Sequence, residues 1–359
     1  MKMNNRIIYG AMAAVAVMLG ACENAEQDFP DFKYNATYFP YQYPSRVLIL
    51  GEDEQVDSTA PDNRGEFKIG CTMAGVYAND RSREVEYVID ESLAENLYTS
   101  SGVQLKALPH SYYNFHEGGI MVIPKGSMQG YLDISLTDEF FEDADSKELK
   151  YVIPVRIVRA QTDSVLHGVP AHPNADRRID TDWYVKPMDF TIYGIRYINA
   201  WHGKYLYRGQ DEYGTDKKVV YRHKYVEKCE LADITTISKN QASFVTPVRK
   251  ADGSSPGKIA LILTFDADGK CAVTSSDASY APVAGTGEFV KDGDMWGGKK
   301  RNVLHLALFL HRSCDERTPY REGHARGPGP QCQAGNLFSR REMTEPSAMN
   351  RTMQAPVLV

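Results

Sequence analysis

The chain has 359 residues, enough for two domains, and its 42% hydrophobic and 25% charged residues are a globular mix. That composition excludes wholesale disorder, collagen and coiled coil, and a net charge of −6 with a pI near 5.9 excludes a broad nucleic-acid-binding face. With 22 Tyr and 13 Phe, the short apolar runs lean towards β structure.

Residues 1–21 read as a signal peptide, with Lys2 and Arg6 ahead of an apolar run from Ile7 to Leu19. The run ends in Leu19-Gly20-Ala21-Cys22, the lipobox pattern of bacterial lipoproteins, so Cys22 is the expected lipidation site and the mature first residue. The membrane is thereby an expected partner, reached through the lipid on Cys22. Residues 22–30 form an acidic tether (Glu23, Glu26, Asp28) that resembles a surface-export signal, so the expected location is the outer membrane, facing the cell exterior.

Residues 31–159 read as an immunoglobulin-like β-sandwich. Its strands are expected at Arg46–Leu50, Glu66–Met73, Glu84–Ile89, Gly119–Ile123, Gly130–Leu136 and Tyr151–Val158, separated by breakers such as Pro124-Lys125-Gly126. Residues 160–186, with Pro170 and Pro173, read as a linker. Residues 187–308 read as a lipocalin-like antiparallel β-barrel. Its strands are expected at Thr191–Ile198, Gly203–Arg208, Lys218–Lys224, Ala232–Ser238, Gln241–Val248, Lys258–Phe265, Cys271–Ser275, Gly287–Val290 and Val303–Leu308. The fold class is therefore all-β.

Residues 309–359 change texture. Cys314, Arg321, His324, Pro328, Pro330 and Cys332 fall in a stretch without strand or helix period, where the last barrel strand is due. Suitable codons for Arg321–Arg326 read Val-Lys-Asp-Thr-Leu-Val after loss of one base, so the tail reads as out of frame and the last strand as lost with it.

Chemistry is sparse. The sequence has no G-x-S-x-G, H-E-x-x-H, P-loop or dinucleotide fingerprint, and none of the six Cys has metal-ligand spacing; neither cofactor nor metal is expected. Asp138-Glu139 and Glu142-Asp143 flank Phe140-Phe141, but a glycosidase needs two carboxylates at a fixed separation across a cleft, and spacing alone does not place them. Aromatic residues are the better lead, because sugar rings stack on flat side chains. Tyr38, Phe39, Tyr41 and Tyr43 alternate at strand spacing, and Pro40 and Pro44 make the stretch an edge or a turn. The candidate glycan-binding residues are Trp296 in a Gly-rich turn, Trp183 and Tyr184 in the linker, and Tyr112 and Tyr113 after Pro109.

Asp31-Phe32-Lys33-Tyr34, Tyr41-Gln42-Tyr43-Pro44-Ser45-Arg46, Ile123-Pro124-Lys125-Gly126-Ser127, Tyr197-Ile198-Asn199-Ala200-Trp201-His202-Gly203 and Gly287-Glu288-Phe289-Val290 together form a pattern. It resembles two-domain surface lipoproteins of polysaccharide-utilisation loci in Bacteroides-like bacteria, over roughly residues 22–308. The resemblance implies capture of an extracellular polysaccharide or oligosaccharide without catalysis, in company with other outer-membrane glycan-uptake proteins. The alternative is a structural or adhesin-like accessory subunit without sugar affinity; a glycan hydrolase is a third reading.

Overall fold

The computed structural model describes residues 31–32, 34–51, 59–115, 118–213, 217–255, 257–275, 277, 284–296 and 298–310, together with a strand at 337–344. The fold is all-β over two domains, each built from a curled sheet.

In chain order the first domain contains β1 (Ala36–Tyr38), β2 (Ser45–Ile49), β3 (Glu66–Ala74), β4 (Arg83–Ile89), β5 (Lys106–Ala107), β6 (Tyr113–Phe115), β7 (Ile120–Ile123), β8 (Gln129–Leu136), β9 (Tyr151–Ala160), β10 (Ser164–Val165), β11 (Val169–Pro170), β12 (Trp183–Val185) and β13 (Phe190–Ile198). One hydrogen-bonded path runs β10-β1-β3-β8-β7-β4-β9-β13-β2, while β11 and β12 form a separate hairpin. A single residue pair, Val122 with Tyr131, joins β7 to β8, so the path folds there into two layers. Inward side chains of both layers meet in one core: Phe67, Ile69 and Met73 from β3, Ile134 from β8, Val155 and Ile157 from β9, and Ile195 and Tyr197 from β13. The run Tyr151-Val152-Ile153 is apolar on both faces because β9 is covered twice. Ile153 faces that core, and Val152 packs with Leu93, Leu105, Phe190 and Ile192 on the other side.

Pairing moves one expected strand. Thr191–Ile198, read as the opening of the barrel, belongs to β13, which lies antiparallel to β9 and parallel to β2 in the first sheet. The stretch read as a linker carries β10, paired to β1, and the β11–β12 hairpin. The fully buried Asp189 anchors its end, with His167 Nδ1 at 2.8 Å and Arg177 Nη2 at 3.1 Å.

The second domain contains β14 (Gly203–Tyr213), β15 (Lys217–Val220), β16 (Glu230–Thr236), β17 (Gln241–Val248), β18 (Gly257–Phe265), β19 (Lys270–Thr274), β20 (Ala284–Trp296), β21 (Lys299–Leu310) and β22 (Leu337–Thr344). Neighbours pair antiparallel in that order, except that β15 and β16 share one edge of β14. The expected loss of the last strand is corrected here: β22 pairs with β21 on one side and β14 on the other, so the sheet closes on itself. The physical reason is that β14 and β21 present two open ladders. Leu337–Thr344 holds neither Gly nor Pro to interrupt a strand between them. Within the sheet Tyr205, Tyr207, Phe244, Leu261, Leu263, Phe265 and Leu306 pack as a filled core.

The domains meet at Asn199. Its amide nitrogen donates to the carbonyls of Ser238 (2.9 Å) and Gln241 (2.8 Å), and its backbone N–H donates to Thr236 Oγ1. Trp201 stacks on Phe265 at 3.8 Å, closing the end of the second sheet nearest the first domain.

Candidate functional site

On the outer face of β3 and β8, side chains alternate away from the core. Lys68, Gly70 and Thr72 stand opposite Asp133, Tyr131 and Gln129. Gly70 matters because a Cβ there would lie 3.1 Å from Tyr131 Cε1; its absence lets the Tyr131 ring lie against the strand. Tyr131 is fixed by a hydrogen bond from its hydroxyl to Gln129 and by Lys68 Nζ, 5.8 Å from the ring centre. Lys68 is held by Asp133 at 2.9 Å, and that hydrogen bond and charge raise its pKa above the ordinary lysine value.

The opposite wall comes from Pro40-Tyr41 and Pro44, ahead of β2, and from Thr191 and Tyr193 on β13. The two prolines keep this segment out of the sheet, so Tyr41 stands at the rim with 73% of its surface exposed. Tyr193 is stacked on Phe67 at 5.6 Å, and burial raises its phenol pKa. Between the walls lies a cavity of about 280 Å³. A second cavity of about 640 Å³, bounded by Arg46, Arg64, Glu66 and Asp133, shares Lys68 with it, so the two form one groove. Its aromatic end offers the rings of Tyr41 and Tyr131. Its polar end offers ion pairs, Arg64 with Glu66 at 2.6 Å and Arg46 with Asp62 at 2.6 Å. Cys71, at the groove floor, is a buried thiol whose pKa is pushed up to about 11 by desolvation, which makes it a poor nucleophile.

The residues expected from sequence fall elsewhere. Tyr113 is buried, 3.1 Å from His110 Nδ1 through its hydroxyl and edge-on to Phe115. Tyr112 donates to Asp143 at 3.0 Å and packs edge-on against Phe140 and Tyr151, so neither ring is a free platform. Trp183 donates from Nε1 to the carbonyl of Asp176 at 2.7 Å, with the Arg177 guanidinium 6.0 Å from its ring. Tyr184 beside it is 78% exposed. The backbone of Trp296 ends β20, and its side chain, like Cys22, lies outside the described residues. The groove joins Tyr41, flagged for its alternation, to Tyr131 and Tyr193, whose convergence had no local signal.

The carboxylates Asp138 and Asp143 beside Phe140-Phe141 are engaged in the fold. Asp138 pairs with Lys239 and Asp143 with Tyr112 and Tyr151, while Phe140 and Phe141 are buried anchors between them. Among the described residues no group of three or more His, Cys, Asp or Glu is placed to hold a metal ion. A cavity of about 680 Å³ in the second sheet is bounded by Gly209 and Gln210 on β14 and His305–Ala307 on β21, the two strands that β22 joins.

Residues 200–315 match a family described as a domain of unknown function (DUF5627), and residues 32–164 match a family described as an N-terminal domain. Neither match is to an enzyme family. No curated protein matches the chain. Among solved structures, a Bacteroides ovatus protein of unknown function is 30% identical, with a TM-score of 0.76 over 90% of this chain and 96% of that one. A second Bacteroides ovatus protein of unknown function is 14% identical, with a TM-score of 0.42 over 87% of this chain and 94% of its own. An auxiliary nutrient binding protein from Bacteroides thetaiotaomicron is 12% identical, with a TM-score of 0.38 over 85% of this chain and 90% of its own. At 30% identity across nearly the whole of the first of these proteins, the chain belongs to the same family as that Bacteroides ovatus protein of unknown function.

Proposed function

We propose that this protein captures extracellular carbohydrate, without altering it chemically, at the groove between Tyr41 and Tyr131. The observation that carries the reading is the pairing of two solvent-accessible phenol rings with a row of fixed polar groups. Tyr41 and Tyr131 offer flat apolar faces for the C–H faces of sugar rings. Lys68, Gln129, Asp133, Arg64 and Glu66 place donors and acceptors side by side, the set that hydroxyl groups of either polarity require. Each cation along the groove has an acidic neighbour, which suits a hydroxyl-rich ligand. The motif resemblance to surface lipoproteins of polysaccharide-utilisation systems supports the same reading. In it, Cys22 carries lipid and the chain is displayed on the outer membrane, facing outward.

Affinity electrophoresis of the protein through gels containing plant and host polysaccharides tests the binding. At least one polysaccharide is expected to retard it. Tyr41→Ala and Tyr131→Ala should each weaken that retardation by about tenfold, the equivalent of about 1.4 kcal/mol. Tyr184→Ala should leave it unchanged; a loss only in that variant would place the site on the β11–β12 hairpin instead. Retardation by no polysaccharide would overturn the reading in favour of an accessory subunit without sugar affinity. Cys22→Ser is expected to abolish incorporation of radiolabelled fatty acid and release the protein from the membrane fraction.

A further inference from the structure

A separate strip on the second domain has the opposite character to the rest of the chain. The whole sequence carries a net charge of −6, yet between Lys217 and Lys228 five Lys and Arg stand against a single Glu227. Large apolar side chains are exposed in the same place: Val220 at 59%, Tyr225 at 53% and Leu231 at 66%. The register explains how they come together. Val220 is paired with Gln210 and Leu231 with Leu206, two positions on one face of β14, the face opposite that of the core residues Tyr205 and Tyr207. The two aliphatic side chains therefore point outward on the same side of the sheet, about 13 Å apart along β14. The basic stretch Arg222–Lys228 connects them. Lys224 and Lys228 both approach the Tyr225 ring, at 5.6 and 5.7 Å. The acidic groups nearby each have a partner. Glu230 is bonded to Arg249 and Asp211 is buried beneath Tyr221, while Glu212 is bonded to Lys218, one of the five cations, at the far end of the strip from Lys224 and Lys228.

We propose that this strip docks the second domain onto an anionic lipid surface. The two halves of the pattern answer the two parts of such a surface. Ammonium and guanidinium groups meet the headgroup charge, while a phenol ring and two aliphatic side chains enter the boundary with the acyl chains. A soluble anion would call for the cations alone and would leave Val220 and Leu231 in water. This proposal is independent of the carbohydrate groove, which lies on the other domain.

The test is partitioning of the full-length chain onto phosphatidylcholine vesicles with and without 30% phosphatidylglycerol. Any hydrophobic anchor at the N-terminus contributes equally to both, so the ratio of the two affinities reads the strip. Each basic side chain near an anionic surface is worth about fivefold, so the ratio is expected to exceed about tenfold at low salt and to collapse at high salt. Lys224→Glu with Lys228→Glu should bring the ratio to about one, and Val220→Ser with Leu231→Ser should lower the affinity for both vesicles while leaving the ratio and its salt dependence in place. Equal binding to both vesicles would overturn the proposal, as would a preference that survives the double charge reversal. So would retardation of the protein by dextran sulfate with no vesicle preference, which would hand the strip to an acidic polysaccharide.

Discussion

Some single residues in this chain do work that their types only hint at. Gly51 has φ of +100°, and a Cβ there would lie 2.5 Å from Ala200 Cβ, so a glycine is what lets the first domain touch the start of the second. Gly51→Ala is expected to cost about 2–3 kcal/mol, from the left-handed backbone and the clash together, read as a lower urea midpoint. Asp189 is fully buried against Arg177 and His167; Arg177→Ala should cost about 3 kcal/mol, because it leaves a buried carboxylate underpaired. Asp143 gives a pH dependence. Burial disfavours its charge, but hydrogen bonds from Tyr151, the Asp145 amide and Tyr112 outweigh that and hold the carboxyl below its ordinary range. A carboxyl depressed in the folded state stabilises at pH above the unfolded carboxylate range, about 4, and that contribution is lost as pH falls through the folded value. Asp143→Asn should therefore flatten the fall in stability below about pH 4, measured by urea unfolding at a series of pH values. At this scale the sequence is easiest to read where a residue acts alone. Tyr41 was visible through its flanking prolines, whereas Tyr131 depends on the missing side chain of Gly70 on a different strand.

Elements were legible where side-chain alternation was clean and illegible where partners had to be chosen. Gln241–Val248 was expected with the ends it has, because Ala242, Phe244, Thr246 and Val248 turn inward while their neighbours turn out. Thr191–Ile198 was expected as a strand but assigned to the wrong sheet. It is buried on both faces, and nothing in an apolar run says whether its partner is the strand before it or the one after. The closing strand was hidden differently, behind a Pro- and Gly-rich stretch without strand or helix period that reads as an out-of-frame tail. Truncation after residue 336 should open the second sheet between β14 and β21 and raise the aggregation rate, followed by light scattering against the intact chain.

At the scale of the molecule, the two domains are joined through side-chain hydrogen bonds, not through slack chain. Asn199 ties the end of β13 to the turn between β16 and β17, and Lys239 reaches back to Asp138 at 2.8 Å, with its ammonium 4.1 Å from the Phe141 ring. Asn199→Ala should cost about 1–2 kcal/mol and split one calorimetric transition into two, since it removes the side-chain hydrogen bonds to the carbonyls of Ser238 and Gln241, which keep only the backbone donors of their own turn, and uncouples the halves. The all-β architecture and the presence of two domains followed from strand spacing and turn residues. The position of the junction did not, because it is set by which carbonyls Asn199 can reach.

The pairing of β2 with β13 also sets an order of events. Ser45–Ile49 enters the cell's synthesis early, but its recorded sheet neighbour, Phe190–Ile198, follows about 145 residues later and lies parallel to it. At about 5–20 residues per second, a ribosome spends roughly 7–30 seconds between the two. Once β9 has emerged, at residue 160, the first domain has most of its strands but not its last, and an edge that is apolar on both faces waits uncovered. The first half of this chain is thus finished by the beginning of the second, so whatever shields nascent apolar edges in the cell must act on it until residue 198 has emerged.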